Sequence, residues 1–181
     1  TDDQRYYPSR ILMKFKNEEL LTTIRDVVGD DTFNNQGVNI SSSVSLKLFT
    51  SKPENLSNVL NLEVFAVAES WNEGKGKYLN FPTSSTGCTW INRDGSVAGT
   101  QWTTSSFAAN ITGSIIAPGI TEGGGAWYTG SEFSATQQFY NEATLDTNFD
   151  VTTIVQKHSA SAFANSSYPS GVVNNGFIIK Q

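Results

Sequence analysis

Three segments of the chain carry an apolar side chain at every second position: residues 10–15, 44–48 and 60–68. Successive side chains of a β-strand point to opposite faces of the sheet, so a period of two is typical of a strand with one buried face. We therefore predict a strand in each segment. We also expect the second and third segments to form a pair of core strands.

The second half of the chain predicts shorter strands. Beyond Trp90 the candidates are residues 111–117, 126–129 and 133–140, which are separated by Gly-rich loops. Many short strands at this spacing favour a sandwich or a jelly roll over a parallel sheet. The predicted fold is thus all-β, a jelly-roll-like antiparallel β-sandwich.

One segment has the period of a helix instead. Asn17 is placed to cap its start and Gly29 to end it, and Glu18 and Glu19 suit the positive end of the helix dipole. Apolar residues recur between them at helical spacing: Leu20, Leu21, Ile24, Val27 and Val28. We predict one short amphipathic helix here, and we expect it to lie across one end of the sandwich.

Several dipeptides and one glycine run predict turns and loops. Asp94-Gly95 and Asn175-Gly176 are tight-turn dipeptides. Residues 123–125 are three consecutive glycines, but no third glycine stands at the offset of the dinucleotide-binding fingerprint and no βαβ unit surrounds them. We interpret this run as a loop.

Length and charge narrow the classes of partner. With 181 residues the chain has the size of one domain, so we expect a single β-sandwich domain over residues 1–181. Charged residues are only 16% and aromatic residues reach 12%, a balance that also favours β-structure. The net charge of -5 provides no basic field for phosphates, so we expect neither nucleic acid nor an anionic membrane surface as a partner. No apolar stretch approaches the roughly 18 residues of a transmembrane helix.

Candidate catalytic groups are few. His158 is the single histidine and Cys88 the single cysteine, and we expect the first on the surface and the second as a small core residue. No nucleophile elbow, zinc-protease helix, phosphate-binding loop or calcium loop motif occurs, so we predict a non-catalytic protein. A glycosidase would need only a pair of carboxylates, and candidates for such a pair remain: Asp94, Glu122, Glu132, Asp146 and Asp150.

We expect no cofactor. Calcium collects carboxylate and carbonyl oxygens, and residues 1–3 and 29–31 have acidic side chains in loops that could contribute to such a site. We interpret these acids as solvated.

The tryptophans divide into two pairs. Trp71 and Trp90 are expected in or near the core. Trp102 and Trp127 have polar, Gly-containing neighbours, and with Tyr128 and Tyr140 they are the candidates for an exposed aromatic platform. Such a platform stacks on a sugar ring or packs against a neighbouring subunit, and both alternatives stay open.

Three stretches resemble the DNRLRE-type β-sandwich domain. Ser9-Arg10-Ile11-Leu12-Met13-Lys14-Phe15 is similar to a strand in which Arg precedes an alternating apolar run. Trp71-Asn72-Glu73-Gly74-Lys75-Gly76 and Gly87-Cys88-Thr89-Trp90-Ile91-Asn92 are similar to the family's W-x-E-G-x-G and G-x-T-W-x-N. Residues 149–155 and 174–180 are similar to its F-D-V-T-x-x-V and N-x-G-x-x-L-K ending. The hexapeptide that names the family does not occur.

Each residue of these motifs has a structural interpretation. Trp71 and Trp90 would pack the core, Gly74 and Gly76 would allow the turn, and Asp150 would cap the turn that begins at Val151. Glu73 belongs to the same structural motif. We favour this interpretation over a role in ligand binding.

The resemblance implies a module found in bacterial surface proteins, beside polysaccharide-degrading enzymes and in structural proteins of tailed phages. The Trp-Asn-Glu-Gly-Lys-Gly segment of this chain, residues 71–76, looks closest to the versions of the motif in structural proteins of tailed phages. Strands of the family that normally precede the first motif have almost no counterpart here, and residues 16–39 look inserted. We expect another chain or a removed segment to supply the missing edge.

The leading hypothesis is a structural component of a phage virion, such as a capsid decoration, neck, tail or fibre protein, whose partners are other virion proteins or further copies of itself. The alternative is a carbohydrate-binding module of a secreted or cell-surface protein, with a glycan as its partner.

Overall fold

The computed structural model describes residues 10–29, 43–49, 59–75, 86–95, 99–102, 111–117, 120–140, 146–163 and 171–181. In chain order these residues form β1 (Arg10–Met13), α1 (Asn17–Val28), β2 (Ser45–Leu48), β3 (Val59–Ala66), β4 (Asn92–Asp94), β5 (Thr100–Gln101), β6 (Ile111–Ala117), β7 (Ile120–Tyr128), a 3-10 turn (Ser131–Phe133), β8 (Ser134–Tyr140), β9 (Thr147–Asp150), α2 (Thr152–Phe163) and β10 (Phe177–Lys180).

All strand pairs in the described part of the chain are antiparallel. A four-stranded sheet has the order β1-β10-β3-β8, and β2-β9, β4-β5 and β6-β7 form two-stranded sheets. The all-β prediction is confirmed, with the character of a β-sandwich. The jelly-roll topology and the single domain over residues 1–181 stay predictions.

The four-stranded sheet is covered on both faces. Alternate residues at the end of β3 and just after it point to the two sides, so that Val64 and Ala66 join one buried cluster while Phe65 and Val67 pack in the other. β10 lies between β1 and β3, and its Phe177, Ile178 and Ile179 are all buried because both faces of the sheet are covered there. A strand that is buried on both faces has a continuous run of apolar residues in its sequence.

The two clusters have different partners. On the first face, the sheet packs against β2, β9 and both helices through Leu46, Phe149, Ile24 and Ile154. On the second face it packs against β7, near Trp127, and against the loop segments that carry Trp71, Cys88 and Trp102. Each fully buried apolar side chain contributes about 1.5–3 kcal/mol.

The predicted helix is present as α1. Gly29 follows it and donates its N–H to the Arg25 carbonyl at 2.8 Å, as expected of a helix end. Lys16 and not Asn17 occupies the capping position. The Asn17 side-chain oxygen instead accepts a hydrogen bond from Asn174 Nδ2 at 2.7 Å, which ties the start of the helix to the segment before β10.

A second helix, α2, was not expected from the sequence. The helix is rich in polar residues, but one of its faces is buried. The residues of this face lie in the first cluster or beside it: Ile154, Val155, His158 and Ser159. Asp150 Oδ1 accepts the Thr152 N–H at 3.0 Å and caps the start of this helix. The expected role of Asp150 as a cap is therefore confirmed, although it caps a helix rather than an isolated turn.

Two predictions about connectivity are wrong. β2 pairs with β9, and β3 with β10 and β8, so the segments 44–48 and 60–68 are not neighbours. Residues 123–125 lie inside β7 rather than in a loop. Gly125 has a φ of 124°, and a Cβ there would lie 2.7 Å from Cδ1 of Ile178. The strand uses glycine because it passes close to the central sheet.

Candidate functional site

A groove of about 720 Å³ lies beside β1, on the second face of the four-stranded sheet. One wall is formed by β1 and the residues after it, from Arg10 to Lys16. The other is formed by Trp71 and Glu73 of the segment after β3, by residues 88–90, and by Gly124 of β7. The segments that resemble the family's first and second motifs thus meet around one concave surface.

The two motif segments hold each other through a contact of glycine backbones. Gly74 has a φ of 75° and Gly87 a φ of 100°. A Cβ at Gly74 would lie 2.5 Å from the Gly87 Cα, and one at Gly87 would lie 2.7 Å from the Gly74 Cα. No residue with a side chain fits at either position. The turn that was predicted at Gly74 is therefore a backbone-to-backbone packing site, while Gly76 lies outside the described residues.

Trp71 is half-buried and its indole is held at the floor of this region. Its Nε1 donates to the Asn175 carbonyl at 2.8 Å, and Asn175 Nδ2 donates to the Ala68 carbonyl at 3.2 Å. The pair connects the segment after β3 to the residues before β10. Asn175 of the third motif thereby holds Trp71 of the second motif in place. The expectation that Trp71 lies near the core is confirmed.

Residues 89–92 form a tight turn built on a threonine hydroxyl. Thr89 Oγ1 accepts the N–H of Ile91 at 3.2 Å and of Asn92 at 2.9 Å. The Thr89 N–H donates to the Asn92 carbonyl at 2.7 Å, and the Thr89 carbonyl accepts from Trp102 Nε1 at 3.1 Å. These bonds give the residues of the G-x-T-W-x-N motif a physical role, because they fix the position of Trp90 at the rim of the groove.

The guanidinium of Arg10 lies against two indole rings. Its Cζ is 4.6 Å from the centre of the Trp90 ring and 5.1 Å from that of Trp127. Such cation–π contacts contribute about 0.5–2 kcal/mol each. The Gly124 N–H donates to the Trp90 carbonyl, and a Cβ at Gly124 would lie 2.6 Å from Arg10 Nη1. Arg10 is thus held in the wall of the groove.

The structure differs from the expected division for three of the four tryptophans. Trp102 and Trp127 are only 2% and 6% exposed, so the prediction that they form an exposed platform is wrong. Trp90, expected in or near the core, is 37% exposed. The polar neighbours of Trp102 misled the sequence interpretation, because its indole N–H finds a buried carbonyl partner in Thr89.

The two tyrosines do not complete a platform either. Tyr128 is half-buried and its ring lies 5.0 Å from that of Phe133, on the first face of the sheet. Burial raises the pKa of Tyr128 above its usual value. Tyr140 pairs with Val59 through the backbone of β8, and its side chain lies outside the described residues.

Three cationic side chains and one carboxylate lie among the described residues that line the groove. Arg10, Lys14 and Lys16 are the cations, and Glu73 is the carboxylate. Lys16 also pairs with Glu19 at 3.1 Å on the exposed side of α1. The whole chain carries a net charge of -5, so the balance of these described lining residues is opposite in sign to that of the whole chain. The sequence analysis did not identify these three residues as site residues. They stand at even-numbered positions of β1 and the residues that follow it, and this spacing places extended residues on one side of the chain.

Cys88 is partly buried and His158 is almost completely buried. Cys88 is half-buried in the groove wall; burial raises the pKa of its thiol, a backbone hydrogen bond lowers it, and the charge of Glu73 raises it further. His158 is 2% exposed, so the expectation of a surface histidine is wrong. Its ring packs edge-on against Phe177 with centres 5.7 Å apart, and burial lowers its pKa to about 4.

Three of the candidate carboxylates for a catalytic pair, Asp94, Glu132 and Asp150, lie on different elements of the fold. Asp150 caps α2, and hydrogen bonds from Thr152 lower its pKa. Asp94 ends β4 and Glu132 lies in the 3-10 turn beside Gly130. The residues that the structure describes contain no group of three His, Cys, Asp or Glu side chains that could hold a metal ion. The acids of residues 1–3 and Asp30 and Asp31 lie outside that part of the chain.

Comparisons of the chain with models of protein families, with curated proteins and with solved structures found no significant match. Within its described portion, neither helix has the length and apolar character required to cross a membrane.

Proposed function

We propose that this chain is a non-catalytic structural component of a tailed-phage virion and that it acts through protein–protein contacts. The observation that carries the proposal is the outer edge of the four-stranded sheet. Among the described residues β1 pairs only with β10, and the groove lies beside β1 on the second face of the sheet. A strand at the edge of the described sheet, beside a concave surface, is suited to contact a segment of another subunit.

The assignment to a virion rests on the resemblance of residues 71–76 and 87–92 to the DNRLRE-type domain in its phage versions. Membership in that family and a jelly-roll topology are parts of the same proposal. The contacts of these residues support it, because Trp71, Gly74 and Gly87 serve backbone packing around the groove. A capsid decoration, neck, tail or fibre protein would use the motif in this way.

The state of the two candidate nucleophilic or basic residues also supports a role without chemistry. His158 is enclosed in the core, where it has no access to a substrate. Cys88 has a raised pKa, which keeps the thiol protonated and weakly nucleophilic near neutral pH.

Carbohydrate binding at the surface or outside of a cell is the second candidate, and the exposure of Trp90 at the groove favours it. Trp102 and Trp127, on which the sequence hypothesis relied, are buried and unavailable for stacking. Arg10 moreover lies over the Trp90 ring, so a sugar would find one face of the indole already covered.

The mass of the purified chain in solution, measured by light scattering with and without a panel of polysaccharides, tests the proposal. We expect a stable oligomer whose mass no polysaccharide changes. A monomer that binds one polysaccharide specifically would overturn the virion proposal in favour of a carbohydrate-binding module. Genes for capsid or tail proteins beside the gene for this chain would support the first result independently.

A further inference from the structure

The side chain of His158 lies between α2 and the four-stranded sheet. It is 2% exposed, and its ring packs edge-on against that of Phe177 in β10, with centres 5.7 Å apart. The Phe177 ring in turn lies edge-on against that of Phe15, with centres 6.1 Å apart. His158 is thus part of the contact through which the second half of α2 rests on the sheet.

This contact suits a neutral imidazole. Nδ1 and Nε2 of His158 are both buried and have no hydrogen-bond partner among the residues that the structure describes. Protonation would place a second N–H donor and a positive charge at the same buried position. Burial of a charge without a partner is far more costly than burial of a neutral polar group. Protonation therefore favours any conformation in which water reaches the ring.

The charged side chains on the described elements around His158 are exposed or engaged elsewhere. They are Lys157 of α2, Glu132 of the 3-10 turn, Lys180 of β10, Asp150 before α2, residues 14 and 16 after β1, and residues 18, 19, 25 and 26 of α1. Lys157 Nζ lies 5.7 Å from the centre of the Phe133 ring, and Lys180 Nζ pairs with Glu63 at 2.8 Å. Tyr128 of β7 is neutral below its raised pKa. Burial is accordingly the cause that lowers the pKa of His158 to about 4.

α2 is held firmly at its start and carries His158 further along. Asp150 caps the first turn, and Ile154 and Val155 lie in the first cluster. His158 follows one turn later, beside the Lys157 carbonyl, which accepts the Val172 N–H at 3.1 Å. Separation of the second half of α2 brings water to the ring without unfolding β3 and β10. Local openings of this kind require less free energy than global unfolding.

We infer that His158 is a pH-sensitive switch: in mildly acidic solution its protonation releases the second half of α2 from the sheet and uncovers the Phe177 ring. The protein would then present apolar surface of the first face only in acidic surroundings. This inference goes beyond the proposed function and does not depend on it.

Hydrogen exchange of the backbone amides at about pH 7.5 and about pH 5, corrected for intrinsic rates, tests the switch. An exposed imidazole has a pKa of 6.5, so acidification favours opening of the ring's site about 30-fold. We expect the protection of amides in the second half of α2 to fall by this factor. Amides of β4, on the segment that packs against the second face, should change less than about threefold. At both pH values α2 should exchange at least about tenfold faster than β3 and β10.

Two variants remove the titration, and one leaves it in place. His158→Leu is apolar and His158→Gln is polar, and in both we expect the protection of α2 to differ less than about threefold between the two pH values. Ser159→Ala changes the neighbouring buried side chain and should retain the fall of about 30-fold. An equal fall in the His158 variants would overturn the inference, as would unchanged protection of α2 in the native chain. Exchange of α2 at the same rate as β3 and β10 would also refute it, because the ring would then be exposed only by global unfolding.

Discussion

His158 couples the stability of this protein to pH. The imidazole is 2% exposed in α2, and neither ring nitrogen has a hydrogen-bond partner among the residues that the structure describes. Burial lowers its pKa from 6.5 to about 4. Between these two values the unfolded chain binds a proton that the folded chain does not, so stability is full above pH 6.5 and falls as the pH drops towards 4.

The size of the effect follows from the shift. One pKa unit corresponds to about 1.4 kcal/mol, so the complete loss below the folded pKa is about 3 kcal/mol. Of this, about 2 kcal/mol is already lost at about pH 5, where the unfolded imidazole is protonated and the buried one is still neutral. Asp150 acts in the same direction, but its contribution is lost only as the pH falls below its unfolded value of 3.8.

Urea unfolding at about pH 7.5 and about pH 5, followed by tryptophan fluorescence, measures the loss. We expect the native chain to lose about 2 kcal/mol between these conditions and His158→Leu to lose much less. At the higher pH the variant should be as stable as the native chain or more so, because it removes two buried nitrogens without partners. Equal pH dependence in both proteins would refute the reasoning. Since His158 is the only histidine, a nuclear magnetic resonance titration of its ring with a pKa near 6.5 would refute it directly.

Three further predictions concern stability and are checked by thermal or urea unfolding. Gly74→Ala should lower the free energy of unfolding by about 3 kcal/mol or more, because the new Cβ clashes with the Gly87 backbone and the φ is unfavourable. Gly29→Ala should lower it by only about 1 kcal/mol, because its Cβ would meet nothing within 4 Å. Similar losses in the two variants would contradict the close packing. Asp150→Ala should cost about 1 kcal/mol and Asp150→Asn little, as expected for a helix cap; an equal loss in both would indicate a role of the charge. Trp102→Ala should cost about 3–5 kcal/mol and Trp90→Ala less than about 2 kcal/mol; the reverse order would contradict the observed burial.

The strands and the first helix were predictable because their signals are local. The alternation in β1, β2 and β3 and the apolar period of α1 each arise within a single element, where side-chain direction depends only on position along the backbone. The second helix escaped because its apolar stripe is narrow. Ile154 and Val155 are adjacent and are flanked by hydroxyl and amide side chains, and the burial of His158 and Ser159 depends on the sheet beneath them.

The site was only partly predictable. Trp71, Gly74 and Asp150 have the structural roles that their motif places suggested. Trp90 and Trp102 exchanged their expected environments, because the exposure of an indole depends on which distant segment covers it. Arg10 became part of the site only through its contacts with Trp90 and Trp127, far from it in sequence.

The sequence by itself determined the class of this protein: strands with a period of two, a negative net charge and glycines at the positions where backbones touch. The tertiary structure decided which strands pair, which face each aromatic ring enters and where the cations gather. The physical reason is the distance along the chain between the residues that interact. Backbone periodicity is set by neighbours along the chain, whereas burial, pKa and the shape of the groove are set by contacts between residues such as Arg10 and Gly124 that only folding brings together.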